Sequence, residues 1–212
     1  VGWYYWDCNG DIFDFNVINM DNDGNVKWIK KLGSPLGKDS GGEIVATKDG
    51  GFLVSTRIDT STDHNSTLDP VVIHKLDSNG NIIWKSYIPQ VDQYKALPVV
   101  LETSTGSIVL AGNIPVFQGT TNIPMLGWLV KLGSDGRIIW NQNYYTTLVN
   151  DQYLLDVKET PDGGYVACGT AINPATNNQD AWILKVDSNG CLDGFGCPKI
   201  NYPTAIIPTE VE

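Results

Sequence analysis

Three tryptophans, Trp28, Trp84 and Trp140, stand 56 residues apart, and each follows a glycine by four positions: Gly24, Gly80 and Gly136. Spacing kept this strictly is the mark of a repeat architecture, and it narrows the fold before any composition is counted. The strings around the markers agree: DNDGNVKW ends at Trp28, DSNGNIIW at Trp84 and GSDGRIIW at Trp140. A fourth copy, DSNGCL, starts at Asp187 and then breaks off. A second marker precedes the last three copies: TKDGGFLVST from Thr47, TSTGSIVLAG from Thr103 and TPDGGYVACG from Thr160.

Each period reads as four strands. The first ends at the threonine of the second marker and carries Ile44, Val100 or Val157. The second runs from Phe52 to Thr56, Ile108 to Gly112 or Tyr165 to Gly169. These second strands are apolar at nearly every position, as strands are when both faces of their sheet are covered. The third passes through VVIHKLD at Val71, WLVKLG at Trp128 and WILKVD at Trp182, and the fourth includes the repeated tryptophan. Turns of the D-S-N-G kind, with a glycine free to take positive φ, suit tight hairpins. No helical periodicity of comparable length competes.

One four-stranded antiparallel sheet per 56 residues predicts an all-β fold, a β-propeller of four-stranded blades. Blades are expected at 29–84, 85–140 and 141–197, after a partial blade at 1–28. In that partial blade, Gly2 to Trp6 reads as a second strand and Asp11 to Met20 as a third. Residues 198–212 are expected either as a linker or as a closing strand. In the second case Ile200 to Val211 returns to complete four blades; otherwise upstream blades are missing.

Composition then limits the partners. Fourteen basic against 24 acidic residues give a net charge of -10, which opposes an electrostatic grip on nucleic acid. At 42% hydrophobic and 18% charged, the chain is too apolar for disorder, and its 22 glycines and 11 prolines oppose a helical bundle. There is no run of eighteen apolar residues, so no membrane span is expected. Val1 begins no signal-peptide pattern, and a mature or trimmed chain is expected.

The string T-x-D-G-G-Y-V, then G-T, a variable loop, and D-A-W-I-L-K-V-D-S-N-G resembles the propeller repeats of secreted and cell-surface proteins of Bacteroidetes-type bacteria. The match is best over 160–190, good over 76–84 and 130–140, and covers most of 11–194. The resemblance implies a propeller and an exported, extracellular or cell-surface location. It also implies the type IX secretion route, whose sorting domain such proteins commonly carry at the end; 198–212 would be the linker before it. It carries over no catalytic residues. Quinoprotein-type propeller repeats also place a tryptophan four residues after a turn glycine. This chain departs from them in its shorter Asp77–Gly80 turn and in having no adjacent cysteine pair, so no cofactor is expected.

Candidate sites divide by whether they repeat. Trp28, Trp84 and Trp140 occupy one place in every copy, which assigns them to packing one sheet on the next. Lys75, Lys131 and Lys185 recur likewise, as a repeated salt bridge or an exposed face. Asp21, Asp23 and Asn25 resemble the start of a calcium loop but lack its later ligands, so hairpin capping is the better account and no metal is expected. Asp39, Asp92 and Asp151 read as loop caps rather than glycosidase carboxylates. His74 aligns with Ile18, Val130 and Leu184, which makes it a core histidine, and His64 has no neighbouring ligand for zinc. Cys191 and Cys197 flank a short loop that a disulfide would staple in an oxidising compartment. Cys168 reads as a buried free thiol, with Cys8 near it only if a ring closes.

Strands alternate in direction, so two connections per blade emerge at each end. One set is short and repetitive; the other is long and different in every copy. Loops on a rigid scaffold are where binding residues collect. The expected partner-binding face therefore carries Asp59, His64, Phe117, Gln118, Tyr144, Tyr145, Asn177 and Asp180. Strong enzyme motifs are absent from the sequence, and no catalytic residue is named. The leading function is a module that binds a protein or glycan. The alternatives are a structural subunit of a larger surface complex and a catalytic propeller acting on glycans.

Overall fold

A computed structural model describes residues 5–6, 13–33, 39–58, 70–88, 97–115, 125–145, 151–173, 175–192 and 196–197. They form an all-β fold of four antiparallel sheets, with no helix among the described residues. Sheet 1 contains β1 (Tyr5–Trp6), β2 (Phe13–Met20) and β3 (Val26–Leu32). Sheet 2 contains β4 (Ser40–Ala46), β5 (Phe52–Arg57), β6 (Val71–Leu76) and β7 (Ile82–Ile88). In sheet 3 the strands are β8 (Val99–Glu102), β9 (Ile108–Pro115), β10 (Met125–Leu132) and β11 (Ile138–Tyr144). Sheet 4 has β12 (Gln152–Glu159), β13 (Tyr165–Ile172) and β14 (Gln179–Val186). Within every sheet the strands follow one another in chain order. The expected boundaries at Trp28, Trp84 and Trp140 fall inside fourth strands, which run on to Leu32, Ile88 and Tyr144. Beyond β14, Leu192 bridges both Val186 and Gly196, and a disulfide joins Cys191 to Cys197 across that hairpin.

The short turns follow one recipe. In the first of sheet 2, Gly50 N–H donates to the Thr47 carbonyl at 2.9 Å and Thr47 N–H to the Gly51 carbonyl at 2.9 Å. The pattern needs a left-handed residue at the fourth place, and Gly50 supplies it at φ 81°. Lys75 closes the same turn, donating to Asp49 Oδ1 at 2.7 Å and to Thr47 Oγ1 at 2.7 Å. Lys185 repeats the bond to Asp162 at 2.8 Å. In sheet 3 the acid's place is taken by Thr105, and Lys131 turns instead to sheet 4, where it reaches the Ser188 carbonyl at 3.3 Å and lies over the Tyr165 ring.

The sheets stack face to face. Leu53 and Ile73 of sheet 2 join a buried cluster with Val100, Leu110 and Val130 of sheet 3. Val54 and Leu76, on the other face of sheet 2, pack with Phe15, Val17 and Leu32 of sheet 1. Val109, Ala111 and Leu129 of sheet 3 meet Leu154, Tyr165, Ala167 and Leu184 of sheet 4. Inner sheets are thus apolar on both faces, and β5 and β9 read as near-continuous apolar runs for that reason.

The repeated tryptophans make these junctions. Trp28, Trp84 and Trp140 donate their indole N–H to the carbonyls of Ser78, Ser134 and Ser188 at 3.0, 3.1 and 3.0 Å. Each acceptor lies in the last turn of the following sheet, and each ring presses on that turn's glycine. A Cβ at Gly80 would lie 2.8 Å from Trp28, one at Gly136 2.7 Å from Trp84, and one at Gly190 3.1 Å from Trp140. Burial of an aromatic face with its one polar hydrogen satisfied stabilises by about 2 kcal/mol.

One sequence expectation is corrected. Cys168 is an exposed free thiol, not a buried one. It occupies the place of Ser55 and Ala111, which the next sheet buries, but no described sheet follows sheet 4.

Candidate functional site

The two ends of the strand array differ in what their polar groups are doing. At the short-turn end, Asp77 Oδ1 accepts the N–H groups of Asn79 and Asn81 at 2.8 Å each, while Oδ2 accepts the Asn81 side-chain amide at 2.9 Å. Asp21 caps its own turn in the same way through Asp23 and Asn25, as hairpin chemistry requires. The Asn81 side chain, and after it the Asn81 backbone, hold the Asp77 carboxyl below the usual range. Lys75, then Thr47, hold Asp49 well below it. Glutamates of each following sheet take up spare turn donors: Glu102 accepts from Lys48 N–H at 2.8 Å, and Glu159 accepts from the Ser104 N–H and hydroxyl. The carboxylates of Asp21, Asp49, Asp77, Asp135, Asp162 and Asp187 at this end all accept hydrogen bonds within their own turns.

The opposite end carries the long connections. Asp59, His64, Phe117 and Gln118 lie outside the described residues, as do Asp92 and Cys8. Asp151 Oδ1 accepts Met125 N–H at 2.9 Å, and its carbonyl accepts Ile172 N–H at 2.9 Å, so it caps loops of sheets 3 and 4 together. Asp39, which stands the same distance after its tryptophan, is buried, whereas Asp151 is half-buried. Asn113 Oδ1 accepts Leu154 N–H at 2.7 Å across the same junction, a brace that no sequence pattern announced.

Of the expected binding residues, Tyr144 is buried and donates its hydroxyl to the Gly190 carbonyl at 2.7 Å. Burial first, and Asp187 second, push its phenol up. Its hydroxyl is therefore occupied in the junction, whereas Tyr145 beside it is 42% exposed. Asn177, in the turn between β13 and β14, and Asp180, at the start of β14, are both exposed on one hairpin. Asn173 shapes that hairpin: its Oδ1 accepts Ala175 N–H at 3.0 Å, and its Nδ2 donates to Asp180 Oδ2 at 3.0 Å. Asn177 sits at φ 55°, a left-handed position that asparagine tolerates better than most residues. Gln179 Nε2 donates to Thr170 Oγ1 at 2.8 Å, bringing together two polar groups of the same long connection.

His74 is buried in sheet 2, with Nε2 2.9 Å from Thr56 Oγ1 and, among the described residues, no partner at Nδ1. Burial, and then Lys85, push its pKa down to about 3, so it is a neutral core group. No family model matches the chain, and a comparison with curated proteins finds no significant match. Among the described residues, no helix is long and apolar enough to cross a membrane.

Proposed function

We propose that the four sheets are blades of a β-propeller and that the chain is a binding module for a protein or glycan, working outside the cell or on its surface. The observation that carries this reading is the division between the two ends. Short turns are consumed by caps and sheet-to-sheet bonds, while the β13–β14 hairpin presents amides and a carboxylate to solvent. Repetition of one sheet with one tryptophan contact supports the propeller. The Cys191–Cys197 disulfide supports export, since such bonds persist in oxidising compartments. The resemblance to type IX cargo repeats is in keeping with that route.

Binding to a panel of bacterial and host glycans and surface proteins tests the proposal. Replacing 173–180 with a DSNG-type turn, or Tyr145→Ala, should weaken capture of whichever member binds at least tenfold, and Asp77→Asn should leave it unchanged. Loss on Asp77→Asn alone would place the working surface at the wrong end. A second reading, a structural subunit of a larger surface assembly, is favoured by the apolar side chains that the two outer sheets expose, Ile183 at 72% and Met20 at 50%. A catalytic propeller acting on glycans is distinguished by product formation from any glycan that binds.

A further inference from the structure

In each junction between sheets, one central place is filled from the third strand of the later sheet. Val130 holds it between sheets 2 and 3, and Leu184 between sheets 3 and 4. Between sheets 1 and 2 it is His74. That residue pairs across the sheet with Val54 and stands two positions before Leu76, both of which pack against Phe15, Val17 and Leu32 of sheet 1. A titratable ring, 0% exposed, thus stands where the sister junctions are aliphatic.

The surroundings suit only its neutral form. Thr56 donates its hydroxyl to the Val72 carbonyl at 3.3 Å, so Nε2 carries the ring hydrogen and donates to Thr56 Oγ1 at 2.9 Å. A second proton would have to sit on Nδ1, which has no partner among the described residues. A buried charge left without an acceptor is strongly disfavoured. Neighbouring groups give no relief. Across sheet 2, His74 lies between Val54 and the exposed Lys85, and Val72 lies between Thr56 and Tyr87. Beyond them, β4 brings Ile44 to the level of Val54 and Gly41 to the level of Thr56. From sheet 1, the half-buried Lys30 shares the face of its cross-strand partner Val17. The acids described nearby stand at the ends of the strands: Asp21, Asp49 and Asp77 bond within their own turns, and Asp39 precedes β4. The charged groups that these strands turn toward the junction are therefore two lysines, with no described carboxylate among them.

We propose that the junction of sheets 1 and 2 is an acid-operated latch: a proton taken up at His74 Nδ1 releases sheet 1 from sheet 2, while sheets 2, 3 and 4 stay packed on one another. Release is confined to this junction because only here is the central place titratable. The junction is also the smallest, with five buried apolar side chains against ten in each of the others. Once released, the ring is solvated and titrates at its ordinary 6.5, whereas closed it titrates at about 3, through burial first and Lys85 second. The latch is therefore fully closed above 6.5, and between those two values its closing constant falls about tenfold for each pH unit lost. Ordinary aspartates titrate near pH 4, so the interval from 6.5 down to 4.5 belongs to histidine. The proposal goes beyond the loop-end reading and uses none of its residues.

The test is amide hydrogen exchange of the whole 212-residue chain at pH 7.5, 5.5 and 4.5, each rate divided by that of an unstructured peptide at the same pH. A freed sheet 1, whose β1 has only 2 residues, is too small to keep its own ladder, so the amides of β2 and β3 report its release. Their protection should fall about tenfold from pH 7.5 to 5.5 and about tenfold again to 4.5. Protection of β9 and β10 should change far less. His74→Val and His74→Leu, the side chains of Val130 and Leu184, should each abolish both falls; His64 is kept in both variants, so its titration cannot account for the difference. Unchanged protection of β2 and β3 in the parent would overturn the proposal. So would an equal fall in all four sheets, or a fall that survives in the variants.

Discussion

Gly136 and Gly24 hold the same place in two copies of the repeat and adopt nearly the same backbone, φ 80° and 84°, yet their surroundings have nothing in common. Gly136 lies under the Trp84 ring, and Gly24 faces open space. In the inner junction glycine is needed twice, for its dihedral and for the close approach of a neighbouring sheet. At the outer sheet it is needed only for its dihedral. The difference teaches that the turn is written locally, whereas the packing is written by whichever sheet comes next.

The largest effect belongs to the junction itself. Trp84→Ala removes both the ring over Gly136 and the bond to Ser134, and should cost roughly 3 to 5 kcal/mol in denaturant unfolding. Trp140→Ala should behave alike, and a variant melting like the parent would show that the rings do not hold the sheets. The comparison sharpens with the glycines. Gly24→Ala should cost only the left-handed backbone, about 1 to 2 kcal/mol, while Gly136→Ala should cost about 2 kcal/mol more because Trp84 must also move. Equal costs would mean that Trp84 yields freely.

These contrasts also show what the sequence could and could not disclose. The strands, their order and the turn glycines were legible because each depends on residues within a few positions of one another. For the repeated lysines the sequence left a salt bridge and an exposed face both open and named no acid; the structure supplies Asp49 for Lys75 and Asp162 for Lys185, and the exception at Lys131 follows from Thr105 standing where the acid would be. Cys168 was not legible: β13 is as apolar as β9, and only the absence of a described following sheet leaves the thiol exposed. Tyr144 was hidden for a related reason, because its hydroxyl acceptor, Gly190, is 46 residues away in the next sheet. On the loop end, the hairpin holding Asn177 and Asp180 was found through the length of its loop, but the Asn113 and Asp151 braces depend on contacts between sheets.

Two smaller effects probe the outer and inner sheets separately. Reducing the Cys191–Cys197 disulfide, which spans 6 residues at the edge of sheet 4, should destabilise by about 2 kcal/mol on loop entropy. The loss should fall on hydrogen-exchange protection of β14 rather than β10. His74 supplies the smallest. Its folded pKa of about 3 lies below the unfolded 6.5, so between those values the unfolded chain binds the extra proton. Stability therefore rises with pH across that window and is lost as pH falls, by about 1 kcal/mol over the first unit below 6.5. His74→Leu, matching Leu184 in sheet 4, should remove that share of the slope in unfolding curves taken at several pH values. An unchanged slope would assign the acid sensitivity to the turn carboxylates, which also favour higher pH because their folded pKa values are lowered.

The central claim is that each repeated tryptophan is seated on the turn glycine of the following sheet, and a double-mutant cycle between Trp84→Ala and Gly136→Ala tests it most directly. With the ring gone, an added methyl at position 136 has room, so the cost of Gly136→Ala should fall to that of Gly24→Ala, a coupling of about 2 kcal/mol. Strictly additive costs would contradict the account, since they would mean that the ring and the glycine do not meet.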